Sequence, residues 1–219
     1  MNLLFLDTET SGLDPQSNGI LQLSAEFHSD GKLVNSFNER IKHDSIKVDL
    51  GALKVNRIKL GQVDSLGLPH DFVMAKFVDW LLMLHEQYSN IVVVGHNLSF
   101  DVNFIKAALQ KMGCYNVDAV LPYRVIDTSG LARFLASLGV KELDEVFNAA
   151  QGSSLAAIAK GLGLKVPTEL HNSAVDVELT AAVFYKFQQL MEGLLNEKTA
   201  TNTWPIVNAI PCIPENVCC

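Results

Sequence analysis

The sequence predicts an α/β protein, and three observations predict it. A short apolar run, Leu3–Leu6, leads into Asp7-Thr8-Glu9-Thr10 and reads as a buried strand. Two alternating stretches, Ile20–Phe27 and Lys32–Ile41, are separated by Ser29-Asp30-Gly31, and Asp-Gly between such stretches signals a hairpin. Beyond residue 90, short β-branched runs alternate with stretches of helical period.

The elements follow in order. Ser11-Gly12-Leu13-Asp14-Pro15 is a turn after the first strand, so the chain opens as a three-stranded antiparallel meander. Residues 42–70 carry no clear period. Pro69-His70-Asp71 precedes a helix whose buried stripe is Val73, Phe77, Trp80, Leu81, Leu84 and Tyr88. Ile91–Val94 is a β-branched run suited to a central buried strand and ends at Gly95-His96-Asn97. A helix follows from Phe100 to Met112, with Gly113 suited to its C-terminal cap. Arg124–Asp127 is a short strand, Leu131–Leu138 is helical, and Ser153–Leu162 is a small helix capped by Ser153 or Ser154. The last long helix begins near Asn172 or Ser173 and runs to Asn196, with Val177, Ala181, Phe184 and Met191 on its buried side. From Glu197 the character changes, because three of the seven prolines and three of the four cysteines fall there. The expected division is a catalytic-size domain over 1–196 and a docking or flexible tail over 197–219.

Composition narrows the function classes. The 219 residues are 48% hydrophobic and 19% charged, which supplies a core and excludes global disorder. No apolar run approaches the ~20 residues of a membrane span, and Asp7 interrupts the N-terminal apolar stretch too early for a signal peptide, so a cytoplasmic protein is expected. Four cysteines without C-x-x-C spacing fit neither a disulfide framework nor a zinc site. The terminal Cys-Cys has no polybasic segment before it that would support lipidation. A net charge of −7 argues against coating nucleic acid by phosphate neutralisation. It leaves room for an enzyme that approaches one strand end through metal ions, which would absorb several carboxylates.

Three segments carry chemistry. Asp7 and Glu9 are two residues apart on one strand and so point to one face. Two carboxylates side by side at a buried strand end repel and lose hydration, and a divalent cation resolves that conflict. The plainer reading is a pair of exposed strand-end acids. Gly95-His96-Asn97-Leu98-Ser99-Phe100-Asp101 follows a strand and places Asp101 in the first turn of a helix, where an acid also simply complements the helix dipole. His171-Asn172-Ser173-Ala174-Val175-Asp176 repeats the arrangement, and Asn172 or Ser173 there is also an ordinary cap. Both segments begin His-Asn and place an aspartate five residues after the histidine. Spacing alone does not say which histidine transfers protons.

Together and in this order, these segments resemble the DEDDh (DnaQ-like) class of 3′–5′ exonucleases, similar to the proofreading subunit of bacterial replicases. Phe5–Leu13 matches the first family motif, Gly95–Asp101 the second and His171–Asp176 the third. Asp127-Thr128, Leu131-Ala132-Arg133, Ser154-Leu155 and Ala159–Leu164 resemble further family segments. The resemblance covers residues 1–190.

It implies an RNase H-like mixed sheet, three antiparallel strands then parallel strands, flanked by helices. It also implies two Mg²⁺ or Mn²⁺ ions held by Asp7, Glu9, Asp101 and Asp176, with Asp7 as the bridge and His171 as general base. An imidazole suits that role because it titrates near neutrality. Main chain and side chains at Thr8 and Thr10, together with His96 and Asn97, are expected to meet the terminal nucleotide, with Leu13 and Phe100 flanking its base. Among the basic residues, Lys54, Arg57 and Lys59 form the best local cluster for a phosphate backbone, although a solvated face accounts for them equally well.

The implied activity is release of nucleoside monophosphates from the 3′ end of DNA, single-stranded or frayed. Two alternatives stand beside it. One is an exonuclease acting on RNA or short oligoribonucleotides, since the motifs do not read a 2′-hydroxyl. The other is a non-catalytic exonuclease-fold module that binds a polymerase, against which the complete acidic set argues. The tail, with Trp204, Ile206, Val207, Ile210 and Ile213 among its prolines, is expected to dock on a polymerase or to mediate self-association.

Overall fold

The computed structural model describes residues 1–43, 46–114, 116, 120–121, 124–148, 153–168 and 171–201. The tail residues 202–219, including the expected docking segment, lie outside the described residues.

The first strand, β1 (Asn2–Thr10), is apolar on both faces through Leu6, as a strand covered on both sides must be. Leu4 and Leu6 belong to a core shared with α3 (His70–Gln87) and α4 (Ser99–Lys111). Leu3 and Phe5 face the opposite way, onto Val177, Ala181 and Phe184 of α8 (Ser173–Thr201). The same alternation carries Asp7 and Glu9 onto the α8 face, at the end of β1 where the core gives out. β2 (Ile20–Ser29) and β3 (Lys32–Arg40) complete the predicted antiparallel meander. Their turn has φ of 50° at Asp30 and 77° at Gly31, the doubly left-handed geometry of a tight two-residue hairpin.

β4 (Val92–Gly95) runs parallel to β1, and β5 (Val125–Asp127) parallel to β4, giving the order β3-β2-β1-β4-β5. This is the expected mixed sheet with helices on both faces. Gly95 permits the close crossing at the end of β4, because a Cβ there would lie 2.6 Å from Leu98 Cδ1.

Segment 42–70, which has no readable period, supplies an isolated bridge, Ile41 to Leu68, and two seven-residue helices, α1 (Leu50–Asn56) and α2 (Leu60–Leu66). A second helical core is built from α5 (Thr128–Ser137), α6 (Lys141–Asn148), α7 (Leu155–Gly161) and the outer side of α8. α8 is thus covered on two sides: Val177, Ala181 and Phe184 meet the sheet, while Leu179, Val183 and Phe187 meet the other helices. It continues to Thr201, five residues past the expected end at Asn196. No described helix is long and apolar enough to cross a membrane.

Candidate active site

The site forms where β1 ends, between the first turns of two helices that lie on opposite faces of the sheet. β1 has an antiparallel neighbour, β2, on one side and a parallel neighbour, β4, on the other.

Asp176 arrives in the first turn of α8, and a polar network seats that turn. Asn172 Oδ1 accepts from Ala174 N at 3.2 Å, capping the helix, and from Gln22 Nε2 at 3.2 Å. Ser24 Oγ and Ser173 Oγ lie 2.7 Å apart, tying the same turn to β2. Asp101 arrives from α4 on the far face and reaches across the strand end. Its Oδ1 accepts from Thr8 N at 2.8 Å and from Thr8 Oγ1 at 2.6 Å.

One carboxylate oxygen from each of Asp7, Glu9 and Asp176 lies within 4.8 Å of the other two. Asp101 is not in that tight trio, but its charge acts on it. Lost hydration, then Asp101, Glu9 and Asp176, raise the Asp7 carboxyl well above the ordinary range. Burial first, then Asp176 and Asp101, pushes Glu9 up to about 8. Burial pushes Asp101 up to about 7 against the opposing hydrogen bonds from Thr8. Asp176 is raised by burial too, partly offset by the His171 N–H, which donates to its Oδ2 at 3.1 Å. No basic side chain salt-bridges any of the four among the described residues.

One atom tests whether this set suits a cation. Asp176 Oδ1 is buried and has no hydrogen-bond partner among the described residues, a costly condition for a carboxylate oxygen. Oxygen donors only, crowded and short of protons or cations to share, fit a hard divalent ion. Asp7, Glu9 and Asp176, with the Asp101 carboxyl close enough to act on Asp7, are the residues that would hold it.

The two histidines sit differently. His171 is exposed, adopts a left-handed backbone at φ 67°, and its ring makes no hydrogen bond among the described residues. His96, expected to meet substrate, has both ring nitrogens engaged within the protein: Nδ1 lies 2.9 Å from Thr128 Oγ1 and Nε2 lies 2.8 Å from Ser153 O. A carbonyl only accepts, so Nε2 carries the proton. Burial lowers the His96 pKa and keeps the ring neutral.

The other expected substrate contacts divide in the same way. Thr8 spends its amide and hydroxyl on Asp101, while Thr10 Oγ1 donates to Gly12 O and Thr10 O accepts from Asn56 Nδ2 at 2.9 Å. Asn97 is exposed at φ 57°. Leu13 is 78% exposed on the loop after β1, and Phe100 is half-buried against Phe104. Both therefore present apolar surface.

Asp127 is a residue that sequence reasoning missed as a determinant of the site. Its carboxylate accepts from the amides of Asn97, Leu98, Ser129 and Gly130, so one side chain caps α5 and holds the turn that launches Asp101. The only signal was its place in a family-like Asp-Thr segment; nothing local showed the bonds to residues 97 and 98.

A family model described as Exonuclease (RNase_T) matches residues 4–184. Two similar curated proteins are named DNA polymerase III PolC-type. That of Clostridium perfringens is 30% identical over 206 residues, covering 90% of this chain, and that of Thermotoga petrophila is 28% identical over 189 residues, covering 86%. The chain spans about 12% of the length of each. Among solved structures, E. coli Exonuclease I in complex with a dT13 oligonucleotide superposes with a TM-score of 0.69 at 16% identity, over 92% of this chain and 44% of that one. Exonuclease I from Methylocaldum szegediense gives 0.63 at 18% identity, over 91% and 43%. These likenesses uphold the RNase H-like fold and the resemblance to DnaQ-like exonucleases.

Proposed function

The chain belongs to the exonuclease family, and we propose that it removes nucleotides from the 3′ end of DNA as nucleoside 5′-monophosphates, with two divalent cations and a histidine base. The observation that carries this reading is the meeting of Asp7, Glu9 and Asp176 within 4.8 Å, with Asp101 alongside and Asp176 Oδ1 unpartnered among the described residues.

When bound, a pair of Mg²⁺ or Mn²⁺ ions would offset the charge that builds on the scissile phosphate and leaving oxygen and would acidify the attacking water. The protein's own residues do the rest. Asp7, Glu9, Asp101 and Asp176 would hold the ions, and Thr8 fixes the Asp101 carboxylate by donating twice to its Oδ1. The His171 ring takes the proton of the attacking water at a nitrogen with no competing partner among the described residues. The Asp176 bond to its amide fixes where that ring starts from. Leu13 and Phe100 supply apolar faces for a terminal base, a contact that tolerates any sequence. Asn97 and the backbone of Thr8–Thr10 would meet the same nucleotide, and His96, bonded to Thr128 and Ser153, braces the turn that carries Asn97.

DNA is the favoured substrate because the PolC-type relatives are named as DNA polymerases and the Exonuclease I structure holds an oligodeoxynucleotide. Association with a polymerase is proposed on the relatives' names alone.

The test is digestion of 5′-labelled single-stranded DNA with Mg²⁺ or Mn²⁺, beside duplex and RNA arms and an EDTA control. A ladder shortening from the 3′ end supports the reading, and faster shortening of RNA redirects it to the RNA alternative. No metal-dependent release from any arm defeats it in favour of a binding module.

A further inference from the structure

We infer that a cavity beside the carboxylate cluster binds a second phosphate of the strand, one that is not being cleaved; this rests on the nuclease reading for its substrate class. The cavity measures about 290 Å³. Three separate parts of the chain close around it: the paired ends of β2 and β3, the turn between α1 and α2, and the start of α8.

Its cations are Arg40, Arg57 and Lys59. All three are exposed, and none forms a salt bridge among the described residues, in a chain of net charge −7. Two guanidinium groups and an ammonium gathered around one concavity, without carboxylate partners, suit a phosphate diester. Arg57 ends α1 at φ 54°, a left-handed conformation that an arginine rarely adopts, and it reverses the chain between the two helices there. Arg57 and Lys59 come from the basic cluster visible in the sequence. Lys54 does not line the cavity, and Arg40 joins from a distant strand.

The cavity abuts the cleavage centre without being part of it. Gln22 lines it and is the register partner of Glu9, and Asn56 lines it while donating to Thr10 O. His171 forms a shared wall. None of the four carboxylates lines it, so an anion seated there is distinct from the phosphate at the cluster. On a strand held by its 3′ end, that anion is a phosphate on the 5′ side of the scissile one.

The test compares three short DNAs, each labelled through an uncharged linker. These are a dinucleotide with one phosphate, a trinucleotide with two, and a trinucleotide whose non-scissile linkage is an uncharged methylphosphonate. Binding is measured by fluorescence anisotropy in EDTA, and KM and kcat are measured with Mg²⁺. The second phosphate is expected to tighten binding and lower KM roughly tenfold, and the methylphosphonate to erase that gain. In the double variant Arg57→Ala/Lys59→Ala the ratio between the two trinucleotides should collapse toward one. In Lys32→Ala, an exposed cation on the β2–β3 hairpin, it should persist. A double variant that still distinguishes the phosphate from the methylphosphonate as the wild type does overturns the site. Binding with the expected phosphate dependence but no turnover upholds the site and defeats the nuclease reading instead.

Discussion

Two stretches of this chain read almost alike, His96-Asn97 ahead of Asp101 and His171-Asn172 ahead of Asp176, and the fold gives them opposite freedoms. Each delivers an aspartate in the first turn of a helix to the same cluster, from opposite faces of the sheet. At the first, the left-handed residue is Asn97, and His96 is locked between Thr128 and Ser153. At the second, the left-handed residue is the histidine itself, and its ring stands exposed beside the cavity. The same local grammar thus yields one histidine that braces a loop and one whose exposed ring is left for the base role proposed above. What separates them is whether neighbouring segments spend their hydrogen bonds on the ring.

The largest expected effect treats the two segments as equals. Asp101→Asn and Asp176→Asn should each lower Mg²⁺-dependent cleavage by on the order of 10³-fold, because each takes a charge from the set proposed to hold cations. Asp7→Ala should do the same while raising the melting temperature in EDTA, since it relieves repulsion among buried acids. Loss of activity for only one of the two aspartates would break the symmetry of the comparison.

Exchanging the histidines should expose the asymmetry. His171→Ala is expected to cost roughly 10²–10⁴-fold in kcat, the usual range for a general base, with little change in melting temperature. His96→Ala should instead leave Ser153 O short of its donor and remove the ring contact to Thr128 Oγ1, which keeps its bond to Gly95 O, costing about 1–3 kcal/mol, or several degrees of melting temperature. A His96 variant that loses turnover but keeps its stability would reverse the assignment.

A smaller effect is expected at Thr8→Val. Asp101 loses a hydroxyl donor at 2.6 Å, so its carboxyl should become still harder to ionise. Mn²⁺ affinity by calorimetry should fall roughly tenfold, the scale of lost support behind a metal ligand. An unchanged affinity would show that Asp101 is oriented by other means.

The gentlest test is pH. Glu9, at about 8, and Asp101, at about 7, hold protons in the folded chain at pH values where an unfolded chain has released them. Between roughly pH 4 and 8 the folded state binds more protons, so its stability should fall as pH rises and level off above the folded values. Calorimetric scans in EDTA should show the melting temperature declining from pH 5 to 9, and Mg²⁺ should restore most at the alkaline end. A melting temperature that climbs across that window would contradict the crowding of the four acids.

Local pattern explains why much of this architecture was legible. The alternation through Leu3–Leu6 continues into Asp7 and Glu9, so their common face follows from strand geometry alone. Asp30-Gly31 sets the hairpin for the same kind of reason. The seven-residue α1 and α2 and the eight-residue α6 are too short to show a period, and Leu143 and Val146 of α6 are apolar for the sake of neighbouring helices. Asp127 read as part of a family-like pair, whereas its bonds to Asn97 and Leu98 cross about thirty residues.

The chain by itself therefore determined the elements that carry Asp7, Glu9, Asp101 and Asp176, because period and turn chemistry act within a few residues, while the mixed sheet and the grouping of the four acids were implied by the resemblance to a family. Only the tertiary structure decided which histidine is free, which oxygen of Asp101 is already taken, and that Arg40 joins Arg57 and Lys59. Those outcomes depend on partners brought together across the chain: the two bonds that immobilise the His96 ring reach 32 and 57 residues away.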